Sequence, residues 1–386
     1  MKGETTMDAG ADFRAGVLMS LGASAEETGE LLRYGENVFR LDGAPDPGAF
    51  PLPDEPFVDT WAGYAAEAAR RGVFAVLQER LVQLRFPVRA GISGSDAYQA
   101  AIRRGVLPDD PGEGLALESP EGLRLFLHPT AAGRVPVLVA GCRGDFVTLL
   151  RALARRNEPD PVPGSMGACT VGGYNNWDRM AELRRRFERG ELEADGAPDW
   201  GSAFAWVRGR RELYQDRFVL LAPGPYSGVA AAELGLSEEE WLRTSLTIRL
   251  EHECAHYFTR RVLGSMRNTL HDELIADYAG IVAAAGRFRS DWFLRFMGLE
   301  DPSRYRPGGR LENYRGRPPL SDRAFVVLQA LVRAAALRLE QVDPDLRLSG
   351  PWAEGVARVI VALADLTLEE LVGRRMARSR TRKGPA

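Results

Sequence analysis

Two of the four histidines in this chain stand in the string His252-Glu253-Cys254-Ala255-His256, an H-E-x-x-H pattern. On a helix, positions i and i+4 lie one turn apart on one face, so both imidazoles can point at a single metal ion. Glu253 then projects beside that ion, where its carboxylate can hold a water and take its proton. With histidine at four positions in 386, about 0.003 chance matches are expected in a chain of this length. The pattern is therefore read as chemistry and not as two surface histidines on a structural helix.

A catalytic zinc site takes three protein ligands and keeps a fourth position open. A longer motif would place a third histidine downstream in H-x-x-G-x-x-H, but Thr259 and Val262 occupy its glycine and histidine positions. The third ligand must come from elsewhere. The next segment, His271-Asp272-Glu273-Leu274-Ile275-Ala276-Asp277, sets Glu273 and Asp277 at i and i+4. A short connection makes the two helices antiparallel neighbours. At about 1.5 Å per residue, His256 lies about 10 Å before the end of its helix and Glu273 about 6 Å into the next. A carboxylate at Glu273 can then reach the metal. His271 is the competing ligand, although its position in the first turn puts it on a different face. It is also a candidate oxyanion donor, as are Tyr226, Tyr257 and Tyr278. Cys254, between the two histidines, is expected to pack on the helix's other side.

H-E-x-x-H followed by E-x-x-x-D on the next helix resembles the gluzincin branch of the zincin metallopeptidases, the thermolysin-like arrangement. The resemblance covers only about residues 237–285. It implies His252, His256 and Glu273 as zinc ligands, Glu253 as catalytic base and Asp277 as the carboxylate that orients a ligand histidine. The stretch Asp272–Ala279 is similar, more weakly, to the third-ligand helix of small bacterial cytosolic metallopeptidases of the ImmA/IrrE type. The implied fold is α+β and zincin-like: a small mixed sheet packed on the active-site helix, a helical C-terminal subdomain and a helical N-terminal extension.

The elements that must position these residues can be read locally. Ser237 and Glu240 form a capping box, the apolar periodicity runs from Glu238 to Leu263, and Gly264 supplies a stop. Leu246, Leu250, Cys254 and Phe258 are expected as the buried stripe of this helix, separate from its histidine face. Thr269 opens a second helix that runs to about Ala285. Ser321 caps another to about Gln341, and 352–373 reads as one or two more. Upstream, 57–84 is helical. Strands are expected at Leu123–Leu127, Val135–Ala140, Cys169–Val171 and Arg217–Leu221, with helices at Asp145–Arg156 and Trp177–Arg189 between them. Pro136 suggests a strand start or an edge position. The glycine-rich Gly164–Asp178 reads either as a substrate rim or as a plain turn, and its glycines match no nucleotide-binding fingerprint. The expected partition is a mainly helical region 1–115, an α/β part 116–268 ending in the H-E-x-x-H helix, a helical subdomain 269–375 carrying the third ligand, and a basic flexible tail 376–386.

Composition narrows the partners. Fifty basic residues against 53 acidic ones give a net charge of −3, which excludes a general electrostatic grip on nucleic acid or anionic membrane. Only Lys2 and Lys383 are lysines, so 50 − 2 leaves 48 arginines, interspersed with acids throughout. Three widely spaced cysteines argue against a disulfide framework and for a reducing compartment. The N-terminus shows no apolar signal core, and no apolar run approaches the ~18 residues of a membrane span. A cytoplasmic zinc metallohydrolase acting on a peptide or a small amide is the leading expectation, with iron or manganese also suited to the donor set. The rivals are a metal-dependent enzyme of small-metabolite chemistry and a non-catalytic metal-binding module.

Overall fold

A computed structural model describes residues 4–43, 45–107, 113–266, 269–346 and 351–373. The expected basic tail, 376–386, lies outside the described residues. The fold is mixed α+β, with one four-stranded mixed sheet and otherwise mainly helices. The chain forms two compact units, one of residues 52–224 and one of residues 1–51 with 225–386.

The 52–224 unit carries the sheet. Its strands are β1 (Arg124–His128), β2 (Val135–Val139), β3 (Ala168–Asn175) and β4 (Gln215–Leu221), in the order β1-β2-β4-β3. β1 with β2 and β3 with β4 are antiparallel, whereas β2 and β4 run parallel. Their buried side chains, including Leu138, Phe218 and Leu220, join Trp61 from helix Val58–Arg71 and Phe146, Leu149 and Leu150 from helix Arg143–Ala154 in one core. Pro136 is not on an edge strand. It faces Leu127 of β1 one residue before the β4 register begins at Val137, so its missing N–H falls at a strand start. β3 is an edge strand and extends well beyond Cys169–Val171. The pairing with β4 carries through the glycines by a bulge between Gly172 and Tyr174, with Gly173 at φ +73°. The glycine-rich segment is thus mostly strand, and Asn176 then caps helix Trp177–Glu188 by accepting from the Asp178 and Arg179 N–H groups.

The other unit is helical. The H-E-x-x-H helix spans Glu238–Val262, with the Ser237/Glu240 capping box in place. A second helix, Leu270–Ala285, is capped by Thr269 and carries Asp272, Glu273 and Asp277. The two pack closely because Gly280 leaves room for the Ile248 carbonyl. This contact changes the expected buried stripe: Cys254 and Phe258 are buried, Leu246 and Leu250 only half so, and Trp241, Ser245 and Ile248 are the deep positions. The chain start belongs here too: Phe50 lies against Phe258 with ring centroids 5.2 Å apart, and the Arg40 N–H donates to the Leu263 carbonyl. Helices Glu4–Ser20, Ala25–Tyr34, Ser290–Met297, Asp322–Leu346, Trp352–Ala364 and Leu368–Gly373 belong to the same unit, together with a short 3-10 segment, Arg310–Tyr314. No helix among the described residues is long and apolar enough to cross a membrane.

Candidate metal centre

The i, i+4 spacing puts the two histidine rings side by side, with their Nε2 atoms 3.1 Å apart. The second helix brings Glu273 against both: Oε2 is 3.6 Å from His252 Nε2 and Oε1 is 3.5 Å from His256 Nε2. All three side chains are buried. Nitrogen and oxygen donors about 2.0–2.1 Å from a tetrahedral ion stand about 3.3–3.4 Å from one another, so the three observed separations fit a single ion held by these residues. Two imidazoles and one carboxylate also leave a coordination position for substrate or water.

Behind each of the two histidines stands a further group. Asp277 Oδ1 is 2.8 Å from His252 Nδ1. A carboxylate only accepts, so Nδ1 carries the proton and Nε2 keeps its lone pair for a metal. The Tyr226 hydroxyl donates to the same Asp277 oxygen at 2.6 Å and lies 3.1 Å from His252 Nδ1. Arg310 donates in turn to the Tyr226 oxygen at 2.6 Å and pairs with Asp277 Oδ2. On the other side, Asp272 Oδ1 is 3.3 Å from His256 Nδ1 and accepts from Thr259 Oγ1 at 3.2 Å. Glu253 is buried on the same helix, one residue beyond His252.

Charge is managed as these contacts require. Burial alone would raise Asp277, but the Arg310 guanidinium and the hydrogen bond with His252 outweigh it and hold the carboxyl below its ordinary value. Burial would likewise raise Glu273, yet the His256 ring 3.5 Å away and the surrounding positive charge keep it well below the carboxylate range. Burial pushes the Tyr226 hydroxyl far up, so it is a neutral donor. Metal-free, the cluster is an anionic pocket facing two imidazoles, which suits a cation.

Other residues singled out in the sequence lie elsewhere. His271 is not in the cluster: its Nε2 is 2.9 Å from the Leu363 carbonyl and its ring meets Phe39 edge-on. Burial lowers its pKa. The Tyr226 hydroxyl is engaged on the Nδ1 side of His252, away from Nε2, so it is not an oxyanion donor. The Tyr278 hydroxyl donates to Asp343 at 2.9 Å and does not serve that role either. Asp272 and Arg310 were not picked out by spacing. Asp272 could have been noticed as a third acid beside Glu273 and Asp277, whereas the Pro/Gly/Arg-rich surroundings of Arg310 hold no such signal.

Residues 16–375 match the family of unknown function DUF7005. The chain belongs to that family. No curated protein and no solved structure shows significant similarity to this DUF7005 member.

Proposed function

We propose that this chain is a zinc-dependent metallohydrolase of gluzincin type, with a zincin-like helical pair at its centre, that cleaves peptide bonds. The observation that carries the reading is the convergence of His252 Nε2, His256 Nε2 and Glu273 within 3.6 Å of one another, with Asp277 behind His252. Zinc, when bound, would supply Lewis-acid polarisation of the scissile carbonyl and acidification of water, and iron or manganese suits the same donors. Asp277 fixes the tautomer of His252. Glu253 takes a proton from the attacking water as the C–O bond forms and delivers it to the departing amine as the C–N bond breaks. Three free cysteines and near-balanced charge support a cytoplasmic setting without nucleic-acid partners.

The burial of the cluster favours a second reading, in which the substrate is a small amide enclosed in a closed site. Side-chain exposure is 9% for His252, 3% for His256 and 7% for Glu273. A non-catalytic module has no use for Glu253. The test is zinc stoichiometry combined with turnover of peptide and small-amide panels by wild type, Glu253→Gln and His256→Ala. Glu253→Gln is expected to keep one zinc and lose hydrolysis by several orders of magnitude, and His256→Ala to lose both. Full turnover by Glu253→Gln sinks the mechanism.

A further inference from the structure

We infer that the 3-10 segment Arg310–Tyr314 is the clasp of the metal site, with Arg310 as the positioning residue for Asp277, the carboxylate behind His252; this rests on the zinc reading above. Arg310 reaches in from a loop 33 positions beyond Asp277 and spends its guanidinium on one small cluster. One nitrogen donates to the Tyr226 hydroxyl at 2.6 Å and to Ser227 Oγ at 3.3 Å, and the other pairs with Asp277 Oδ2. Among the described residues Asp277 is its one carboxylate partner. One short segment therefore grips both the carboxylate that orients His252 and the phenol bonded to it.

The segment is itself anchored on both sides. Leu311 is fully buried, and the Tyr314 carbonyl accepts from the Tyr34 hydroxyl at 2.6 Å. At its start, the backbones of Gly298 and Gly309 cross so closely that a Cβ on Gly309 would lie 2.6 Å from the Met297 carbonyl oxygen. A planar fork that satisfies two oxygens at once is what arginine provides and lysine does not. Groups in this position typically change metal affinity or activity by 10–100-fold.

The test uses zinc alone, titrated into the metal-free full-length chain against a competing chelator, with the spectrum of the cobalt(II)-loaded protein as second readout. Arg310→Met is expected to weaken zinc binding by about 10–100-fold and to alter the cobalt spectrum, with partial recovery in Arg310→Lys. Because Arg310 acts through Asp277, its effect should disappear in an Asp277→Asn background. Wild-type affinity in Arg310→Met overturns the inference, as does an Arg310→Met loss of equal size with and without Asp277. A wild type that takes up no zinc overturns the zinc reading first and this inference with it.

Discussion

A Cβ placed on Gly280 would stand 2.6 Å from the carbonyl oxygen of Ile248, a backbone atom that cannot swing aside. This crossing point lies one turn before His252 and seven residues after Glu273, so it sets how near the helices that carry these two residues approach. Gly280→Ala must push the helices apart. Overpacking of this kind costs about 1–3 kcal/mol, and the same shift should weaken zinc binding. Chemical unfolding and zinc titration of the variant check both, and a loss under about 0.5 kcal/mol with unchanged zinc affinity would show that the crossing is looser than described.

His271 is the histidine that sequence alone could not dismiss as a ligand. Its Nε2 sits on the Leu363 carbonyl, so His271→Gln should retain one zinc per chain at wild-type affinity. His252→Gln and His256→Gln should each bind zinc at least a hundredfold more weakly. Metal content after dialysis, measured for the three variants together, decides the ligand set.

Zinc binding should release a proton. In the metal-free protein burial opposes a charged His256, but the Asp272 and Glu273 carboxylates, 3.3 and 3.5 Å from its ring nitrogens, outweigh it and raise its pKa well above 6.5. A raised folded value means that protonated His256 stabilises the metal-free chain fully below 6.5, and that this contribution is lost as pH rises through the folded value. Zinc must displace that proton, so its affinity should climb by about tenfold per pH unit from 6.5 up to the raised value. Calorimetry in buffers of different ionisation heat counts the protons, and an affinity flat with pH above 6.5 contradicts the prediction.

Metal removal should be visible in stability. The cluster gathers buried Glu273, Asp272 and Asp277 around two imidazoles, and a cation held only by the folded chain stabilises it by mass action. Free zinc at a thousand times its dissociation constant should add about 4 kcal/mol. Thermal unfolding with zinc or with a chelator measures this, and equal melting temperatures in the two conditions would argue against a bound ion.

The residues that could be assigned by reading the chain are those whose reasons are local. The i, i+4 histidines, the Ser237/Glu240 box, the Thr269 cap and the glycine stops depend on neighbours within one helical turn. They place the H-E-x-x-H helix and its successor within a residue or two. The presence of a small sheet among many helices was legible for the same reason, since each strand is a short apolar run between turn signals. What spacing could not supply depends on partners far away in the chain. β3 continues past its glycines because β4 pairs with it across forty residues. The choice between a phenol as oxyanion donor and one hydrogen-bonded behind a ligand was made for Tyr226 by Asp277, 51 positions on. Asp272 is placed on His256 by the rotation of one helix against the other, and Arg310 by a glycine crossing between two loops. Helical periodicity dictates which side chains share a face. Only the packing of faces against one another determines which buried charge meets which, because an unpaired charge in the interior costs more than any local preference can return.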